Sequence, residues 1–257
     1  MTNLTFSLIE TLVKMPPEFL EAFLYLVLAS SILLFFRLFG KAGLYAYTAI
    51  AIILGNIQVL KAAQFSFYDT PIALGTTTFA SIFCVSDILT EHYGKDAALK
   101  SVWIGFISAI FVTLSMLLTL GIKPIDSSLS ADAGYFLENH DALVRIFTPA
   151  PAILTASLIA YLTSQYTDII VFQCIKKLTR EKWLWLRANV SSILSALIDN
   201  TIFSVCAWVI LSSHPVSTHT LFHTYILGGL IFRIFAAIAF SPLLYFSHHL
   251  KSTKEDS

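Results

Sequence analysis

Long apolar runs separated by short polar turns occupy most of this chain. Seven runs predict seven membrane-spanning helices, because about 20 consecutive apolar residues are needed to cross the bilayer as a helix. Their approximate bounds are residues 20–39, 44–60, 72–89, 98–120, 149–175, 186–211 and 222–246. The expected fold class is therefore all-α, a polytopic membrane helix bundle of about seven helices, with six as the alternative count.

The same pattern predicts one domain. We expect residues 20–248 to form a single transmembrane domain, with 1–19 as an N-terminal tail or interfacial helix and 249–257 as a cytoplasmic tail. The polar-leaning stretch 121–147 is too short for a separate domain.

Composition limits the function classes. Of the 257 residues, 56% are hydrophobic and 12% are charged, whereas soluble domains average about 25% charged residues. This excludes a soluble enzyme, a disordered chain and a protein that binds nucleic acid through basic charge. The partner that composition indicates is the lipid bilayer, since a net charge of zero points to no other.

Orientation follows from the basic residues, which favour cytoplasmic connections. One set of connections holds 11 of the 16 Lys and Arg residues, the other set holds four, and Arg233 lies inside a run. We therefore expect the N-terminus outside and the C-terminus in the cytoplasm. The larger set is Arg37, Lys41, Lys95, Lys100, Lys176, Lys177, Arg180, Lys182, Arg187, Lys251 and Lys254; the smaller is Lys14, Lys61, Lys123 and Arg145.

Polar residues inside apolar runs are the candidates for function, because each is costly in a membrane unless it faces the bundle interior. Asp87 and Glu91 are four residues apart and share a helix face. Asp87 lies about 10 Å from the polar turn at Gly94 by helical rise. The alternatives are that Glu91 is solvated at the cytoplasmic interface and that Asp87 caps a neighbouring helix.

The sixth and seventh runs carry opposite charges at similar depths. Asp199 lies about 18 Å from Arg187, and Arg233 about 22 Å from His248, at 1.5 Å per residue. We predict that Asp199 and Arg233 pair, because each alone would be costly. The pair is either purely structural or part of a site or gate.

The remaining polar positions are less decisive. In the fifth run Gln165 and Asp168 share a face with Tyr161 and Ser164, and Asp168 lies about 12 Å from the polar turn at Lys176. Hydrogen bonding between helices is the alternative role there. Asn56 and Gln58 are two residues apart, so at most one is expected to line a site.

Catalytic and metal-binding patterns are not found. The seven His lie near the ends of runs, and His219 and His223, four residues apart, have no third ligand nearby. We expect no catalytic residue, no metal and no cofactor, so a membrane-embedded enzyme is the least favoured class.

Two motifs resemble a known family. Residues 85–94, VSDILTEHYG, followed by Ala97, Trp103, Gly105 and Phe106, are similar to the signature of the queuosine precursor transporter family, also described as vitamin uptake transporters. A second match runs from Arg187 through Ser191 or Ser192, Ser195 and Asp199 to Phe203, with basic Arg233 before Pro242. Asn200 and Arg233 depart from the Ser and Lys of the family pattern, which implies altered substrate choice.

The resemblance implies uptake of a deazaguanine base across the bacterial inner membrane, for salvage of a tRNA modification. The base would be cyano- or aminomethyl-deazaguanine, or queuine. A carboxylate suits its guanine-like edge, because it accepts two adjacent N–H donors at once. The candidate substrate-binding residues are Asp87, Glu91, Asp199, Arg233, Asn200, Gln165, Asp168 and Asn56.

Two mechanisms of uptake remain. A secondary transporter is the first hypothesis, since no ATP-binding motif is present, with Asp87, Asp168 and Asp199 as candidate proton carriers and facilitated diffusion equally compatible. The alternative is a substrate-capture subunit of an energy-coupled vitamin uptake complex.

Overall fold

The computed structural model describes residues 2–66, 68–126, 133–148, 151–212 and 215–250. Helices dominate it, and a short hairpin of two strands follows the second helix. Two π-helical segments, Cys206–Ile210 and Leu221–Leu227, flank the last turn region. The elements are α1 Thr2–Val13, α2 Pro17–Gln58, β1 Ala62–Phe65, β2 Tyr68–Ala73, α3 Gly75–Tyr93, α4 Lys95–Gly121, α5 Ala133–Phe147, α6 Pro151–Leu178, α7 Leu184–Val205, α8 Thr218–Thr220 and α9 Gly228–His249.

Several of these helices can cross a membrane. Within the described residues, five are long and apolar enough: Pro17–Gln58, Lys95–Gly121, Thr155–Leu178, Leu184–Ile210 and Leu230–His249. The predicted all-α membrane bundle is therefore confirmed.

The first two predicted runs are the two arms of α2. Gly40 has φ 55° and ψ −135°, a backbone region that glycine enters at little cost. The rings of Phe35 and Tyr47 are 6.1 Å apart, although 12 residues of straight helix would separate them by about 18 Å. A side chain at Gly43 would lie 2.1 Å from the carbonyl oxygen of Phe35. The chain thus turns back tightly at Gly40.

The third predicted run begins too early. Ile72 belongs to strand β2, where it lies opposite Ala63 of the antiparallel strand β1. Helix α3 starts only at Gly75. Pro71 explains the difference, because its ring restricts the preceding residue to extended backbone. The backbone N–H of Ser66 donates to Glu18 at 2.5 Å, so this hairpin sits against the start of α2.

Helix α3 occupies the centre of the bundle. Every residue from 81 to 90 is buried, and the helix packs against α2, α4, α6 and α9. Its first turns lie at the open ends of the α2 arms, where Thr77 donates to Glu21 at 2.5 Å. Its last residue, Tyr93, lies at the bend, with Lys41 Nζ 5.6 Å from the ring centroid. The helix therefore runs the full length of the α2 hairpin.

The polar-leaning stretch 121–147, which the distribution of basic residues predicts to be an external loop, contains α5. Tyr135 and Phe136 on this helix are exposed, and the helix contacts α4. Asp132, predicted within the same loop, lies outside the described residues.

Candidate functional site

A cleft opens between α3, α7 and α9. It consists of two small adjoining cavities of about 10 Å³ each, which share the lining residues Ala80, Ser192 and Ala237. These small side chains leave room where three helices would otherwise close on one another. One cavity reaches Asp87 and the other reaches Arg233. We call this space the central cleft.

Aromatic side chains form part of the cleft wall. Phe79 and Phe83 contribute from α3, and Phe240 contributes from α9. Flat rings beside a narrow space suit a flat aromatic ligand, because offset or edge-on contacts between rings are favourable.

Asp87 is the acidic end of the cleft. Its side chain is 2% exposed, and its carboxyl contacts Ser192 on α7 and the carboxyl of Asp168 on α6. Its Oδ1 has no hydrogen-bond donor among the described residues. A buried polar atom without a partner is uncommon in folded proteins and needs an explanation.

Asp168 lies behind Asp87 and is fully buried. The hydroxyl of Ser195 donates to its Oδ1 at 3.0 Å, and Ser191 contributes a second contact. Its Oδ2 has no donor in the described part of the chain. Gln165, one turn earlier on α6, is also buried, so the predicted inward face of the fifth run is present.

Asp199 and Arg233 form an ion pair between α7 and α9, through Oδ2 and Nη1. The predicted contact is thus confirmed. Ser164 on α6 donates to the other oxygen, Oδ1, at 3.1 Å. The pair belongs to the cleft because Arg233 lines its second cavity.

Asn200, next along α7, points elsewhere. Its Nδ2 donates to the carbonyl oxygen of Ile226 at 2.6 Å, so it ties α7 to the π-helical segment before α9.

Glu91 lies outside the cleft, in a cluster of cations at the other end of α3. Its Oε1 is 2.6 Å from Arg187 Nη2 and 3.6 Å from His248 Nε2, and its Oε2 is 3.1 Å from Lys176 Nζ. Its side chain is 8% exposed, so the alternative of a solvated Glu91 is wrong. We call these four residues the basic cluster; it joins α3, α6, α7 and α9.

Asn56 is not brought to the other candidates. Its Nδ2 donates to the carbonyl oxygen of Ile52 on its own helix at 2.8 Å. Gln58, its neighbour two residues on, accepts from Thr78 at 2.5 Å, so the expectation that the two diverge holds.

Sequence reasoning missed the contact between Asp87 and Asp168. Their estimated depths, about 10 and 12 Å from the polar turns at Gly94 and Lys176, could have indicated that the two side chains lie at the same level in the membrane. Two acidic groups are not expected to attract, so similar depth alone did not suggest a pair. Ser192 was a candidate position of the second family motif, whereas Phe240, which also lines the cleft beside Asp87, carries no signal in the local sequence beyond helical spacing.

Comparison with known proteins identifies the family. The model of the family described as "Putative vitamin uptake transporter" matches residues 73–247. The chain belongs to this family of vitamin uptake transporters. The match covers the helices that form the central cleft and the basic cluster, and the family is one of transporters rather than enzymes.

Two curated relatives agree with this assignment. A Bacillus subtilis protein named "Probable queuosine precursor transporter" is 32% identical over 197 residues, 76% of this chain and 81% of the relative. A Haemophilus influenzae protein of the same name is 26% identical over 149 residues, 58% of this chain and 56% of the relative. No solved structure matches the chain. The transporter is an integral protein of the bacterial inner membrane.

Proposed function

We propose that this transporter imports a queuosine precursor into the cytoplasm as a secondary transporter. The substrate would be a deazaguanine base: the cyano or aminomethyl form, or queuine. The observation that carries the proposal is the central cleft, which is lined by Asp87, whose buried Oδ1 has no donor among the described residues. The names of the two relatives point to the same substrate class.

Asp87 is the residue proposed to bind the paired N–H edge of the base. The edge of a deazaguanine presents the ring N–H and the exocyclic amine side by side, and a carboxylate accepts both in a bidentate pair. The rings of Phe79, Phe83 and Phe240 would then lie against the flat heterocycle. Ser192, shared by both cavities, offers a hydroxyl near the middle of the cleft.

The Asp199–Arg233 pair is proposed to face the opposite side of the base. The substituent that distinguishes the precursors lies on the ring away from the paired N–H edge. A guanidinium has five N–H donors, so Arg233 can bind Asp199 and still donate to a cyano nitrogen. Asp199 offers an acceptor to an aminomethyl group, so this pair would accommodate either form.

The orientation is also part of the proposal. Counting the α2 arms separately and including α3 gives seven spans, with the N-terminus outside and residues 20–248 as one domain. The described basic residues support this, because Lys41, Lys176 and Arg187 meet the same end of α3. The basic cluster would then close the cytoplasmic end of the bundle, and Glu91 would gate it rather than bind the base.

Complementation tests the function. A host that cannot make queuosine receives the transporter alone and one deazaguanine base at a time, and queuosine in its tRNA is measured. We expect at least one base to restore the modification, without any ATPase partner. Asp87→Asn should abolish restoration at normal protein level, whereas Asp96→Asn, the same change at an exposed position, should not.

Failure has a defined meaning. If no base restores queuosine, the proposed substrate class is wrong. If Asp87→Asn and Asp199→Asn both transport normally, neither carboxylate reads the base, and the site must be sought around Gln165 and Asp168.

A further inference from the structure

Two acidic side chains from different helices touch in the middle of this bundle. The carboxyls of Asp87 on α3 and Asp168 on α6 are in contact, and both side chains are at most 2% exposed. Two ionised carboxylates in contact repel each other strongly when both are buried away from water. A pair in this arrangement is stable when one proton is shared between the two groups.

Two other acids inside the bundle, Asp199 and Glu91, are neutralised differently. Asp199 is paired with Arg233, and Glu91 is paired with Arg187 and Lys176. Among the described residues, no ion pair includes Asp87 or Asp168. Of the acids suggested by the sequence as proton carriers, these two therefore need a proton and Asp199 does not.

Hydrogen bonds indicate where the proton lies in the outward-facing transporter before a base binds. Asp168 accepts from the hydroxyl of Ser195 and contacts that of Ser191, which favours its ionised form. Asp87 then carries the proton and donates it to Asp168. The remaining oxygen of Asp87, Oδ1, faces no donor of the described chain and belongs to the group that lines the cleft.

A bound base would reverse this arrangement. To accept two N–H donors Asp87 must be a carboxylate, so its proton has to move to Asp168, whose Oδ2 has no other partner in the described residues. Asp87 carboxylic acid and Asp168 carboxylate become Asp87 carboxylate and Asp168 carboxylic acid. The loaded site then holds one base and one proton.

We propose that the Asp87–Asp168 pair binds the proton that this transporter carries inward together with each base. The inference rests on the proposed function, and it specifies a coupling ion for the same site. The outward-facing pair takes this proton from the outer side before the base binds, and Asp168 holds it while the base occupies Asp87. The base and then the proton leave to the cytoplasm when the cleft opens there, and the empty pair returns to the outer side without the proton. The acidity of the outer medium thereby drives uptake.

Few other titratable groups face the pair. Among the described residues, Cys84 and Glu91, both on α3, are the other titratable groups that interact electrostatically with Asp87. Toward Asp87, α7 and α9 present the hydroxyls of Ser192 and Ser241 and the ring of Phe240. Since Glu91 is held by cations, the response to pH is assigned to the aspartate pair.

Proteoliposomes that contain the wild-type chain test the proposal. The probe is radiolabelled cyano-deazaguanine, a neutral base, with the membrane potential clamped at zero and an outside-acid gradient imposed. At one proton per base, a gradient of one pH unit supports about tenfold accumulation, because one unit and a tenfold ratio are the same free energy. Replacing sodium by choline on both sides should change nothing.

Asp168→Asn separates coupling from binding. The amide keeps the shape and can accept from Asp87, but it cannot take the proton. We expect this variant to exchange labelled for unlabelled base, which needs no net proton movement, and to lose the tenfold accumulation. Asp96→Asn is the matched control and should accumulate base like the wild type.

The outcomes are distinct. Exchange by the wild type without accumulation under the gradient, accumulation that needs sodium, or full accumulation by Asp168→Asn would each overturn the proton proposal and leave the proposed function standing. Absence of exchange with all three deazaguanine bases would overturn both. If Asp168→Asn does not fold, the wild-type gradient experiment still decides.

Discussion

Neutralising Glu91 should destabilise the folded transporter by about 3 kcal/mol or more. The Glu91 and Arg187 side chains are 8% and 2% exposed, and their charged atoms are 2.6 Å apart. Removing one partner of a buried pair costs about 3–5 kcal/mol, because the other charge is left without compensation. Glu91→Gln does this to Arg187 with little change of volume.

For Glu91→Gln we expect a destabilisation of about 3 kcal/mol, the lower end of the range for a broken buried pair. Arg187 Nη1 still donates to the carbonyl oxygen of Glu181 at 2.9 Å, and its guanidinium carbon lies 5.5 Å from the ring centroid of Phe172. Lys176, which is 18% exposed, can turn toward water, so losing its pairing adds little.

A double-mutant cycle in detergent measures the effect. On the scale of soluble domains of this size, 3 kcal/mol corresponds to about 6–12 °C of melting temperature. Arg187→Gln combined with Glu91→Gln should recover part of the loss, because neither charge is then unpaired. The exposed control Asp96→Asn should melt within about 2 °C of wild type. A shift that small for Glu91→Gln, or single effects that simply add, would refute the reasoning.

Three further predictions concern recognition, the second ion pair and topology. Uptake should reject a deazaguanine that lacks the exocyclic amine by a large factor, measured by competition against the labelled base, because the Asp87 carboxylate would lose a donor; equal competition by both bases contradicts it. Asp199→Asn alone should lower the amount of folded protein, because it leaves Arg233 unpaired, and adding Arg233→Gln should restore it; a normal yield of the single variant argues against this. A C-terminal reporter should be active on the cytoplasmic side, given the distribution of basic residues, and activity only outside would reverse the orientation.

The sequence predicts which residues lie inside the bundle wherever the free-energy cost of exposing a polar side chain to lipid alone decides this. Asp87, Gln165 and Asp168 are buried as expected, because a polar group facing lipid is costly. The Asp199–Arg233 contact followed from equal depth and opposite charge, and both are readable from helical rise. Such arithmetic works because a membrane fixes one coordinate for every residue in a span.

Contacts that depend on which helices are neighbours were not predictable. Glu91 meets basic side chains from α6, α7 and α9, and nothing near it in sequence identifies them. Arg187 looked like one more residue of a basic loop, yet it is among the most buried side chains of the chain. The strand hairpin at Ala62–Phe65 and Tyr68–Ala73 was not predicted. Most of it lies in the connection between the second and third predicted runs, and only its last two residues were counted in the third run.

The burial of α3 has a consequence for how the protein is made. This helix carries two carboxyl groups, and an Asp inside a span opposes insertion, by about 2.5–3.5 kcal/mol where it lies at the helix centre. The later partners of these groups, Asp168 on α6 and Arg187 on α7, are synthesised about 80 and 95 residues after them. During translation α3 therefore lies beside the α2 hairpin before the partners of its two carboxyl groups have been synthesised. A nascent chain that stops before α6 would expose this defect to membrane proteases, so quality control can distinguish finished from unfinished transporters by one helix.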